Sequence, residues 1–215
     1  MTRAALLLLL LASALLATPV LPAAELEVER VELSVQLDPE AQALYATARL
    51  FLRNASHPAL EILDFTVPAP LGERFDCRSV WVRKGELAWR LDPVEDSAAA
   101  RLRVALLSPL KAGKKLVIGV SYEVDLEGLS APDAPASVAP HNARLSTTGW
   151  YPLPAGTGSA TPERLRLAVR LPKDWRVNAP VKVKRITDGS ALASYEVELK
   201  HFAPGQLLVG ATPPP

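Results

Sequence analysis

The stretch Leu26–Asn54, LEVERVELSVQLDPEAQALYATARLFLRN, decides the fold class. Val31, Leu33, Val35 and Leu37 alternate with Glu32, Ser34 and Gln36, and after Asp38–Pro39–Glu40 the alternation resumes through Leu44, Ala46, Ala48, Leu50 and Leu52. A period of two puts every second side chain on one face of a β-strand, so each run predicts a half-buried strand with a turn between them. Leu26 and Val28 alternate in the opposite phase to Val31, and this one-residue slip at Glu29–Arg30 predicts a β-bulge or strand break.

The same period governs the rest of the chain. Leu60–Val67, Arg78–Arg83, Leu87–Leu91, Arg101–Leu107, Leu116–Val124, Leu165–Leu171, Val181–Thr187, Leu192–Leu199 and Gln206–Val209 all read as strands. Lys84–Gly85–Glu86 joins a hairpin-like pair that contains Trp81 and Trp89, and Asp188–Gly189 is a favoured hairpin turn. No stretch beyond residue 24 sustains helical spacing over three turns. The expectation is an all-β fold: an antiparallel β-sandwich of about a dozen short strands. The stretch 128–149 has no clear period and is expected to be one long loop, crossing between a longer and a shorter strand-rich half.

Met1–Thr2–Arg3, the apolar run Ala4–Ala17 and the small residues up to Ala24 predict a secretory signal peptide over 1–24. The run is shorter than the roughly 20 apolar residues a spanning helix needs. The expected organisation is a signal over 1–24, one β domain over 25–210 and a proline-rich tail over 211–215, in a protein that is exported, periplasmic or secreted.

Loss of 1–24 removes one of the 24 basic residues, Arg3, and leaves 23 against 23 acidic ones. That balance argues against nucleic acid as a partner, and against electrostatic adhesion to an anionic membrane once the signal is gone. Cys77 is the only cysteine, so no intrachain disulfide exists.

Motifs for chemistry are scarce. His57, His141 and His201 precede Pro58, Asn142 and Phe202, and no HExxH, HxH or CxxC spacing occurs, so no metal or other cofactor is expected. Gly119–Val120–Ser121–Tyr122–Glu123 lacks the closing glycine of a nucleophile elbow. Cys77 has no neighbouring histidine, and Gly156–Thr157–Gly158–Ser159 lacks the lysine and helix of a phosphate loop. Lys111, Lys114 and Lys115, and Lys182 and Lys184, read as solvated surface. Asn54–Ala55–Ser56 matches a glycosylation sequon. Trp150 and Tyr151, directly after the predicted loop, are the candidate binding residues. Exposed, they would stack on a ligand or partner; buried, they would anchor the loop's return to the sandwich.

The order of several phrases resembles a known family. VELSVQLD at Val31–Asp38 and LYATARLFLRN at Leu44–Asn54 come first. LRVALLSPLKAGKKLVIGVSY at Leu102–Tyr122, GWYP at Gly149–Pro152 and LRLAVRLPKD at Leu165–Asp174 follow. Together they resemble the N-terminal β domain of zinc aminopeptidases of the aminopeptidase N family, over roughly Val31 to Gly210. The resemblance implies a saddle-like β-sandwich of the kind that packs against a catalytic domain bearing HExxH, a distant zinc-ligand glutamate and GxMEN. None of those motifs transfers: no histidine here precedes a glutamate, and Met1 is the only methionine. The family's sandwich also lends a Gln or Glu to the substrate's amino terminus, and Ser146–Gly158 contains neither.

Three functions follow as expectations. The first is a non-catalytic, exported binding or accessory module whose contact surface is the 128–149 loop with Trp150 and Tyr151, and whose partner is an exported protein. The second is the detached N-terminal part of a split or truncated zinc aminopeptidase, with a separately encoded peptidase domain as partner; the Ala211–Pro215 end reads as an interdomain linker. The third is a hydrolase using carboxylates distant in sequence, which requires two carboxyl groups about 5 to 10 Å apart in a cleft.

Overall fold

The computed structural model describes residues 26–56, 58–84, 87–96, 100–129, 134–155, 162–187 and 191–214. The predicted signal segment, His57, the Asp188–Gly189 turn and Gly156–Ser159 lie outside the described residues. Among those described, one short 3₁₀ turn, Ala69–Arg74, is the only helix. The strands are β1 (Leu26–Asp38), β2 (Ala43–Asn54), β3 (Leu60–Thr66), β4 (Phe75–Lys84), β5 (Leu87–Leu91), β6 (Pro93–Asp96), β7 (Arg101–Leu110) and β8 (Lys115–Asp125). They continue as β9 (Ala136–Ala139), β10 (Asn142–Ser146), β11 (Leu153–Pro154), β12 (Arg164–Pro172), β13 (Arg176–Asn178), β14 (Lys184–Thr187), β15 (Leu192–Lys200) and β16 (Leu207–Thr212).

The predicted all-β class holds. Eight strands form one large sheet in the order β14-β15-β12-β1-β2-β8-β4-β5, and two four-stranded sheets run β11-β3-β7-β6 and β13-β16-β10-β9. Val31, Leu33, Val35 and Leu37 are buried and pair with Leu50, Ala48, Ala46 and Leu44, as the two alternating runs require. The expected slip is present: the β1–β2 register shifts between Val28 and Arg30, leaving Glu29 as the extra residue of a bulge. Asp38 closes the following turn, its Oδ1 accepting from the Glu40 and Ala41 N–H groups at 3.0 Å each.

One core runs through all three sheets. It joins Leu50, Val120 and Leu167 of the large sheet to Phe65, Leu102 and Val104 of the second and Val138, Leu145 and Val209 of the third. The large sheet therefore buries one face under both small sheets and turns the other outward. β1 and β12 pair in parallel, Val31 opposite Leu165 through Gln36 opposite Arg170, while the other strand pairs are antiparallel. That pair stitches the earlier strands to β12, β15 and β14, so the two strand-rich halves share one sheet.

Three expectations change. The stretch 128–149 is not one long loop, because β9 and β10 form a hairpin within it, Ala136 opposite Leu145 and Ala139 opposite Asn142. The small apolar residues Ala136, Val138 and Ala143 hid the alternation, yet they are buried. The tail begins later than 211, since Ala211 is buried within β16 opposite Ala143 and Val177. The strand expected from Val181 begins only at Lys184.

Candidate functional site

Trp150 and Tyr151 are fully buried, so in this structure neither side chain faces a ligand or partner. Their rings meet edge to face at 85° with centroids 5.2 Å apart. Trp150 Nε1–H donates to the Ser146 carbonyl at 2.6 Å, and Tyr151 O–H donates to the Thr147 carbonyl at 2.7 Å. Each aromatic thus satisfies a buried carbonyl four residues upstream and folds the segment back on itself. Tyr122 O–H donates to the Trp150 carbonyl at 3.3 Å, while the Tyr122 ring stacks on Phe75 at 4.8 Å. Burial raises the Tyr122 and Tyr151 hydroxyls well above the usual phenol range.

The preceding residues complete a tightly bonded corner. Thr147 Oγ1–H donates to the Ala203 carbonyl at 2.7 Å, and the Gly205 N–H donates to Thr148 Oγ1 at 3.0 Å. Ser146 N–H donates to the Pro135 carbonyl at 2.8 Å. Gly149 has a φ of +91°, and a β-carbon there would lie 2.7 Å from Pro135 Cβ, so glycine is required at the bend. Of the two roles open to the Trp–Tyr pair, the anchoring one matches the geometry.

The outward face of the large sheet collects the exposed groups. Ala168, Ser34, Thr47, Ser121 and Ser79 form one row across five neighbouring strands. Thr47 Oγ1 and Ser121 Oγ share a hydrogen bond of 2.9 Å. Two residues along in one direction lie Arg170, Gln36, Tyr45 and Glu123; in the other lie Arg166, Glu32, Arg49 and Trp81. Ser34, Thr47 and Ser121 of the low row line a shallow trough of about 320 Å³ together with Gln36, Tyr45, Glu123 and Arg170 of the first taller row. Arg78 spans its end, 2.5 Å from Glu123 and 3.1 Å from Asp76, and the Glu123 hydrogen bond holds its pKa above the usual guanidinium value. Glu32 bridges Arg49 at 2.5 Å and Arg30 at 3.3 Å. The alternation in the sequence identifies these side chains as outward, but not which strands adjoin.

Cys77 N–H donates to Glu95 Oε1 at 3.1 Å. Burial, then the charges of Glu95 and Asp76, push the Cys77 thiol up to about 12, so at neutral pH it carries no thiolate. Burial also raises the Glu95 carboxyl. His141, in the β9–β10 turn, and His201, after β15, are both exposed. Among the described residues no three His, Cys, Asp or Glu side chains converge as a metal cluster. The sequon is closed off: Asn54 is fully buried, its Nδ2 donating to the carbonyls of Leu110 at 2.8 Å and Pro58 at 3.0 Å.

No protein-family model matches the sequence, and no curated protein matches it. Solved structures do match by fold. The M1 zinc metallopeptidase from Deinococcus radiodurans superposes with a TM-score of 0.67 at 17% identity, covering 91% of this chain and 44% of that one. A mutant of that enzyme bound to a Tyr-Ser-Ala substrate gives 0.66 at 16%, over 90% and 44%. A two-domain M1 zinc metallopeptidase mutant bound to L-tryptophan gives 0.65 at 16%, over 88% and 43%. The chain thus spans less than half the length of these enzymes. Its fold is that of an N-terminal-type β domain of M1 zinc metallopeptidases, as the order of the sequence phrases predicted.

Proposed function

We propose that this protein is an exported, non-catalytic β-sandwich that serves an M1-type zinc peptidase as its binding or accessory module. The observation that carries the reading is the fold shared over 91% of the chain with M1 zinc metallopeptidases, in a sequence without HExxH or GxMEN. A catalytic zinc site of that type needs two histidines one helical turn apart, a glutamate base and a third protein ligand. The 215 residues supply no such helix spacing, so the chemistry belongs to a catalytic domain and this domain contributes scaffold and surface. Export is carried by the 1–24 segment, whose composition is that of a secretory signal.

Purified mature chain, assayed with chromogenic amino-acid anilides in added zinc, is expected to release no product. Its zinc content after dialysis is expected to stay far below one ion per chain. Turnover together with stoichiometric zinc would contradict the reading.

A further inference from the structure

Both the large sheet and the second sheet end on one side of the molecule, where β5 passes into β6 through Asp92. An edge strand offers unpaired N–H and C=O groups to another strand, and natural sheets blunt such edges with proline, charge or brevity. Five of the six edges among the described residues are protected in one of these ways. β11 spans two residues and contains Pro154, β6 begins at Pro93 and carries Glu95 and Asp96, and β13 spans three residues. β14 carries Lys184 and Arg185, and β9 has four residues and is largely buried.

β5, LAWRL, has none of these protections beyond the single charge of Arg90. By alternation Leu87 and Trp89 share the core-facing side with Leu91, which is buried, yet they are 64% and 37% exposed. Among the described residues the large sheet therefore ends in two apolar side chains on its core-facing side that stay partly open to solvent.

We propose that β5 is a self-association strand, through which two copies of this chain pair antiparallel and join their eight-stranded sheets into one. The occupant is a second copy because the strand is self-complementary about Trp89. Setting Trp89 opposite Trp89 of the second copy also sets Leu87 opposite Leu91 and Ala88 opposite Arg90. Three apolar cross-strand pairs then meet on the core-facing side, and the one charged side chain faces a methyl group. Pairs of that kind stabilise a sheet, whereas a register centred on Arg90 would oppose two guanidinium groups. The contact is isologous and closes as a twofold dimer. This inference is independent of the peptidase reading.

Sedimentation velocity over a concentration series is expected to show a monomer–dimer equilibrium of the mature chain. Trp89→Lys and Trp89→Glu each place like charges opposite one another and are expected to raise the dissociation constant by about tenfold or more. An equimolar mixture of the two is expected to recover association, because Lys then faces Glu. In a Cys77→Ser background, Trp89→Cys is expected to cross-link under mild oxidation, since directly opposed Cα atoms lie within disulfide reach. Leu87→Cys, opposite Leu91, is expected not to. Circular dichroism checks that each variant keeps its strand content. A chain that stays monomeric at every concentration, a dimer unaffected by Trp89→Lys, or a monomer that takes up only a foreign extended peptide at β5 would overturn the proposal.

Discussion

The indole of Trp81 lies across Gly119 on the neighbouring strand, so close that a β-carbon at Gly119 would fall 2.0 Å from Trp81 Cε2. Gly119 is thus the place where the large sheet gives up a side chain so that an aromatic from β4 can lie flat on β8. Gly119→Ala is expected to cost about 1–3 kcal/mol, because the ring must leave its seat. In a Trp81→Ala background the same change is expected to cost markedly less, since residues in contact are not additive. Urea midpoints of the four proteins check this.

Trp150 and Tyr151 act through packing and two hydrogen bonds to Ser146 and Thr147. Trp150→Ala is expected to destabilise by about 3–5 kcal/mol, the range for deleting a buried large aromatic. Tyr151→Phe keeps the ring and leaves the Thr147 carbonyl without its donor, which is expected to cost about 1–3 kcal/mol. Thermal unfolding reads both, and a negligible loss for Trp150→Ala would mean that the corner is not an anchor.

Asn54 spends both Nδ2 protons on the Pro58 and Leu110 carbonyls, and its Oδ1 accepts from the Ser56 N–H at 3.0 Å and the Ser56 hydroxyl at 2.6 Å. Expression in a glycosylating host is expected to give a chain with no glycan on folded Asn54, read by intact mass. Asn54→Ala orphans two carbonyls and is expected to cost about 1–3 kcal/mol in the same unfolding assay.

Stability is expected to fall on the alkaline side. The Cys77 thiol stays protonated in the fold up to about 12, whereas in the unfolded chain it ionises near 9.0. Between those values the unfolded state binds fewer protons, so the slope of stability with pH is negative. Tyr122 and Tyr151, raised from 10.0, add to the decline at higher pH. Urea midpoints from pH 8 upward check the trend, and Cys77→Ala is expected to remove the part that begins near pH 9. Alkylation of native Cys77 at neutral pH is expected to be slow and to accelerate on unfolding.

The strands with strong alternation, from Val31 to Leu52, from Leu165 to Leu171 and from Leu192 to Leu199, were legible because β-branched and leucine residues mark the buried face at every second position. The β9–β10 hairpin was not, since Ala136, Ser137 and Ala143 carry little apolar signal although they are buried. Nor could periodicity show that β1 pairs with β12 in parallel, more than 100 residues away, or that a row of Ser34, Thr47 and Ser121 forms across strands. Trp150 and Tyr151 stood out as aromatics after a Ser–Thr–Thr–Gly run, but only the donors' targets, Ser146 and Thr147, decide between contact and anchor. The order of short phrases fixed the fold better than any one motif, because those phrases record strand ends and turns that the fold itself requires.

The most direct test of the account is recovery of the full mature chain, used as bait, from the exported fraction of its source, with partners identified by mass spectrometry. The account predicts a zinc peptidase bearing HExxH, recovered in fixed ratio to the bait and lost when that partner's gene is deleted. Recovery of no such peptidase, with the bait folded and hydrolytically active on its own, would contradict it.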